Sequence, residues 1–235
     1  MDCFQNPVPY EISFKGDTGR NHGVFLYDYP QFSGGQKSYI TSQVSGMMGE
    51  LVGIDDYKSN LKISCTFSVL SGEFMPQIRD LKRWLSGTGK LIFSDDADVF
   101  YKVWKVDYGD ITRQLRYFGQ FTVLFTCTPF EFLESGQKAY QSITYNAYEV
   151  SRPIYTITGN GGFTLTVNGK SMKGSANKVL TVDTERQIAY NAGGVNQSMV
   201  LTGNYEDLYL PQGKVSITIS EGFALAIVPN WGYEV

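Results

Sequence analysis

Histidine occurs once in this chain of 235 residues, and cysteine three times. The single histidine, His22, removes most nucleophile–base pairs from consideration. The cysteines are scattered, with no close pair to make a zinc site or a redox motif. Cys65 and Cys127 fall at apolar strand positions, so both are expected as buried free thiols of a chain made in a reducing cytosol. Charge is also sparse: 18% of residues are charged and the net charge is −3, so no basic patch draws the chain to nucleic acid. No run of about 18 apolar residues is present, and no membrane span is expected. The start, Met1-Asp2-Cys3-Phe4, lacks the basic-then-apolar order of a signal peptide.

Against these absences stands a hydrophobic content of 42%, which is that of an ordered chain. Aromatic residues make up 14% and glycines number 25, a bias towards strands and tight turns. The length fits one large domain or two small ones.

One helix is predicted, over residues 75–87. Pro76 suits a first turn. Ile78, Leu81 and Leu85 recur at helical spacing with Trp84 widening the stripe, while Arg79, Asp80, Lys82 and Arg83 face away. Gly87 supplies the left-handed residue that ends it. Around it the pattern is that of strands. Residues 61–69 alternate most cleanly, Leu61, Ile63, Cys65, Phe67 and Val69 inward and Lys62, Ser64, Thr66 and Ser68 outward. Further strands are expected at residues 11–15, 24–27, 90–93, 99–106 and 121–127. Residues 31–48 are polar and glycine-rich, too long for a plain connection, and loops of that length are often functional. The first half therefore predicts one helix laid on an antiparallel sheet.

A polar stretch without period, residues 134–148, marks the predicted boundary, giving domains 1–138 and 139–235. Beyond it every credible element is a strand. Residues 163–167 alternate and end in Asn168-Gly169, a strong hairpin signal. Residues 178–182 and 186–190 flank a second turn at Asp183-Thr184, and residues 215–219 and 223–228 flank a third at Glu221-Gly222. Close, regular spacing of short strands predicts a β-sandwich or barrel.

Few residues invite chemistry. His22 lies in a polar turn and is expected at the surface. Asp95, Asp96 and Asp98 lack the spacing and terminal Glu of a calcium loop and predict a solvated turn. Asn160-Gly161-Gly162 and Ala192-Gly193-Gly194 are expected between strands, and neither opens a helix as a phosphate cradle would. Trp84 is assigned to the core. Trp231, followed by Gly232 and Tyr233, could offer a sugar-stacking face, but tucking against its own domain is the simpler expectation. No catalytic, cofactor-binding or metal site is expected, and no enzyme activity.

The order and spacing of several short stretches resemble the distal tail proteins (Dit) of long-tailed, non-contractile bacteriophages and their prophages. These are Val44-Ser45-Gly46-Met47-Met48-Gly49-Glu50-Leu51 before the long alternating strand, then Arg83-Trp84-Leu85, then Leu91-Ile92-Phe93-Ser94-Asp95-Asp96 with Tyr101. Gly119-Gln120-Phe121 and Thr126-Cys127-Thr128-Pro129-Phe130 follow. In the second half the matching stretches are Tyr145-Asn146, Arg152-Pro153, Ile157-Thr158-Gly159-Asn160-Gly161, Val167-Asn168-Gly169, Val182-Asp183 and Gly213. Two positions depart: Ser45-Gly46-Met47-Met48 lacks an Arg-Asp pair common there, and Ala147 stands where Pro is usual. The resemblance implies a first domain that assembles as a hexameric ring and a second, galectin-like β-sandwich projecting from it. It further implies a hub in the virion that joins the tail tube to the host-adsorption device at the tail tip, with the tail tube protein and tail-tip, receptor-binding or tail-associated proteins as partners; the charge and the lack of a long apolar run already speak against nucleic acid and membrane as partners.

Residues 31–49 are the candidate for reaching a neighbouring copy, since a ring needs two different patches meeting head to tail. A carbohydrate-binding module gripping host cell-wall saccharide is the alternative function, with Trp231 and Tyr233 as its aromatic residues. A tail-associated hydrolase would need paired carboxylates, and no pair stands out.

Overall fold

The structure, a computed structural model, describes residues 10–70, 73–115 and 118–235. It is mainly β, with antiparallel sheets and, among the described residues, one α-helix. The chain divides into two compact units: the first runs to Glu131 and takes in Glu234 and Val235, and the second is Phe132–Tyr233.

In the first unit the strands are β1 (Ile12–Phe14), β2 (Asp17–Thr18), β3 (Val24–Leu26), β4 (Gln31–Ser33), β5 (Lys37–Gln43), β6 (Glu50–Lys58) and β7 (Leu61–Leu70). Helix α1 (Phe74–Trp84) follows, then β8 (Gly89–Phe93), β9 (Val99–Leu115) and β10 (Phe118–Cys127). The main sheet has the order β2-β1-β8-β9-β10-β7-β3, with β4 also on β7. Its β7 and β10 pair over their full length, Ile63 opposite Phe125, Cys65 opposite Val123 and Phe67 opposite Phe121. All six side chains are fully buried, so the alternation of residues 61–69 does place one face of the sheet in the core. Helix α1 covers that face with Ile78, Leu81 and Trp84. Each of these contributes up to about 1.5–3 kcal/mol by burial, an upper figure because an unfolded chain already hides part of its apolar surface. Lys82 and Arg83 lie in the last turn, where cations oppose the negative helix end, and Gly87 beyond it takes φ +79°.

Two features of this unit differ from expectation. Strand β9 extends well past Val106, through Asp107, Gly109 and Asp110, because β10 supplies a partner there; Asp107 pairs in register with Leu124, and a register shift marks an irregularity at Gly109 and Asp110. Residues 31–48 are not irregular. They hold β4 and β5, and β5 pairs with β6 as a separate two-stranded hairpin.

Strand β11 (Phe130–Leu133) carries the chain from the first unit to the second. The second contains β12 (Tyr145–Asn146), β13 (Ile154–Val167), β14 (Lys170–Asp183), β15 (Ile188–Asn191), β16 (Gly213–Lys214), β17 (Ile217–Ile219) and β18 (Ala224–Val228), and β19 (Gly232–Glu234) begins in it. Its frame is the β13–β14 hairpin, paired without interruption from Ile154–Asp183 to Val167–Lys170. Asn168 (φ +49°) and Gly169 (φ +83°) form the left-handed two-residue turn their sequence predicts. Beyond β13 lie β17 and β18, and beyond β14 lies β15. Tyr155, Ile157, Leu165, Met172, Val182 and Ile227 fill the core.

Asn160-Gly161-Gly162 lies within β13 and not between strands. The stretch stays in the ladder because β14 pairs with it residue for residue, Gly161 opposite Ala176 and Gly162 opposite Ser175; on either side of it, a Cβ on Gly159 would sit 2.4 Å from the Phe223 ring, and one on Gly174, opposite Phe163, would sit 2.5 Å from Leu201. Residues 134–148 are likewise structured and belong to the second unit. A Cβ on Gly136 would meet the Trp231 backbone nitrogen at 2.4 Å. Tyr140 exchanges two backbone hydrogen bonds with Ile227, and Ile143 is buried in the core. Asn146, fully buried, donates to the Leu210 and Glu149 carbonyls and accepts from the Tyr148 amide.

Candidate functional site

The β5–β6 hairpin concentrates exposed apolar side chains more than any other described segment. Its register pairs Thr41 with Val52, Ser42 with Leu51 and Gln43 with Glu50. Opposed residues share a face, so Tyr39, Thr41 and Val52 lie on one face and Ile40 and Leu51 on the other. Tyr39, Ile40, Leu51 and Val52 are each more than half exposed. The turn carries Val44, Met47 and Met48, and Met48 is fully exposed. Met47 donates its amide to the Val44 carbonyl, and Gly46 (φ +86°) and Gly49 (φ +98°) provide the left-handed residues that reverse the chain.

The base is held firmly. Ser59 donates to the Gln36 carbonyl, and Lys58 pairs with Glu234 at 2.6 Å. A Cβ on Gly34 would lie 2.3 Å from the Asn60 carbonyl oxygen, so only glycine fits where β4 hands over to the hairpin. A lone two-stranded ribbon is marginal in water. Exposed apolar side chains gathered on both faces of such a ribbon mark a candidate interaction surface.

The other residues weighed in the sequence take different places. His22 is not a surface residue: its side chain is only 15% exposed. Its Nδ1 lies 2.7 Å from Asp80 on α1, and its Nε2 lies 3.0 Å from Asp17 on β2. The ring stacks on Trp84 at 4.4 Å between centroids. Asn21, then the His22 ring and the Thr18 amide, hold the Asp17 carboxyl below the usual carboxylate range. The cluster ties the Gly19–His22 turn to the helix, helped by Gln77, which donates to the His22 and Gly23 carbonyls. No local signal reveals it, because Asp80 lies 58 residues from His22.

Trp84 is buried, with its indole N–H donating to the Phe14 carbonyl at 3.1 Å. Asp95, Asp96 and Asp98 occupy an exposed turn, where Asp95 beside the partly buried Tyr10 adds to burial in pushing that phenol above its usual range. Among the described residues no cluster of three His, Cys, Asp or Glu could hold a metal ion. Cys65 and Cys127 are free and buried, and burial pushes the Cys127 thiol up to about 12 and Cys65 higher still. Trp231 packs on Tyr140 at 5.1 Å and on Tyr148 at 5.6 Å, and Tyr233 meets Tyr148 edge-on. Trp104, passed over in the sequence, is half exposed and donates its N–H to Thr128.

No family model matches the chain, and no curated protein matches it. Among solved structures it is similar to SPP1 Dit (gp 19.1), described as a paradigm of the hub adsorption apparatus in phages infecting Gram-positive bacteria. The TM-score is 0.66 at 12% sequence identity, over 93% of this chain and 97% of that one. At that identity the likeness is one of fold.

Proposed function

We propose that this chain is a structural, non-enzymatic hub of a bacteriophage tail, located in the virion. Six copies close a ring through the first unit, and the second unit, of galectin-like type, stands outside the ring. The hub joins the tail tube to the adsorption device at the tail tip. The observation that carries this reading is the fold likeness to a tail hub protein, which spans nearly all of both chains. The β5–β6 arm supplies the kind of surface such a ring needs. A cyclic assembly uses two different patches on each copy, and a stable contact buries about 1,000 Å² or more in total. With seven residues in β5 the arm reaches roughly 24 Å, long enough to lie across a neighbour. Apolar residues on both of its faces favour insertion between two surfaces over lying on one.

Light scattering of the full chain, coupled to size exclusion and negative-stain imaging, tests the proposal. The expected result is a closed ring of six. Ile40→Ser with Leu51→Ser should abolish the ring and leave the circular dichroism spectrum unchanged. A chain that stays monomeric at tens of micromolar, or a double variant that still forms rings, refutes the assignment of the arm.

A further inference from the structure

We infer that the tip of the arm is a modification site, at which oxidation of Met48, with Met47 next to it in the chain, blocks a free copy from entering the contact between copies. The inference rests on the reading of the arm given above. Turn residues at a hairpin tip are ordinarily small and polar. Here two methionines follow one another in the chain, Met48 fully exposed and Met47 half exposed, with Val44 half exposed in the same turn. The glycines around them serve the chain reversal alone: a Cβ on Gly46 or Gly49 would meet no atom within 4 Å. The turn therefore presents Met48 to solvent with open space around its glycines. Methionine is polarisable and adaptable, suited to filling an irregular apolar pocket on a partner.

Exposure makes the same atoms accessible to a peroxide. A sulfur lone pair attacks one peroxide oxygen, the O–O bond breaks, an S–O bond forms, and the departing hydroxide takes a proton to leave as water. Sulfur loses two electrons and the peroxide gains them. The product, a sulfoxide, is polar and must be stripped of water to re-enter an apolar contact; methionine sulfoxide reductases reverse the change. Losing the burial of one such side chain weakens association about ten- to a hundredfold.

The chain carries its own controls. Met199, on the second unit, is as exposed as Met48, and Met75 is half exposed, whereas Met172 is fully buried. Graded hydrogen peroxide on the full chain, read by peptide mass mapping and light scattering, is the experiment. At concentrations where the chain is dissociated, Met48 and Met199 should oxidise first and Met172 last. In the assembled state Met48 should be protected and Met199 should not. Loss of assembly should track Met48 oxidation, be prevented by Met47→Leu with Met48→Leu, and be unaffected by Met199→Leu. Met48→Gln should reproduce the loss without peroxide. Unchanged assembly with Met48 fully oxidised overturns the switch alone; a chain that never self-associates overturns the hub reading and the switch with it.

Discussion

Replacing Trp84 tests the packing of the helix on its sheet. The side chain is 8% exposed, donates to the Phe14 carbonyl and lies under the His22 ring. Trp84→Ala removes the largest apolar group on α1 and leaves a cavity, which costs about 3–5 kcal/mol. The Phe14 carbonyl loses its indole donor, worth up to about 1 kcal/mol more. For a unit of this size each kcal/mol lowers the melting temperature by roughly 3–5 °C, so the first unit should melt more than about 10 °C earlier. Trp84→Phe keeps a ring and loses the donor, and should cost only about 1–2 kcal/mol. Differential scanning calorimetry of the full chain is the assay, with the transition of the second unit as internal reference, since two units need not melt together. The order Ala well below Phe, and Phe below the parent, is expected in the first transition only. A Trp84→Ala chain that melts within about 2 °C of the parent yet fails to assemble would show that Trp84 serves the interface, and the packing argument would fall.

A fragment of residues 132–233 should fold alone with a cooperative melt, whereas one starting at Tyr145 should be unstable, because it lacks Gly136, Tyr140 and the buried Ile143; circular dichroism melts of both decide, and equal stability would count against residues 132–144 as part of that core. The Asp17 carboxyl titrates below its unfolded value, so its contribution is present above the unfolded pKa of about 4 and lost as pH falls through the lower folded value. Denaturation midpoints of the first unit should therefore drop below about pH 4, and Asp17→Asn should shallow that decline; an identical acid limb in the variant would contradict it. Cys65 and Cys127 should resist iodoacetamide in the native chain at pH 8, since burial keeps both as neutral thiols. Rapid labelling of either, located by mass spectrometry without denaturant, would show that the core opens.

Where a residue's environment follows from its near neighbours in the chain, the sequence by itself determined the outcome. Residues 61–69 alternate because one face of β7 is buried, and a period of two records that directly. Helix α1 shows its stripe for the same reason, and Asn168-Gly169 specifies a left-handed turn whatever surrounds it. Tertiary structure decided what depends on partners far along the chain. The arm was illegible as a hairpin because both of its faces are exposed, so no alternation is imposed on it. Gly159 and Gly174 break a strand pattern locally, yet sit in the β13–β14 hairpin because each is paired across it, and the rings of Phe223 and Phe163 and the Leu201 side chain occupy the space a side chain would take. Residues 134–148 look like a linker until Trp231 and Ile227, about 90 residues on, close over Gly136 and Tyr140. His22 reads as a surface turn until Asp80 and Trp84 arrive on a helix more than fifty residues away. In each case the deciding contact is long-range, and a local pattern carries no record of a partner it does not contain.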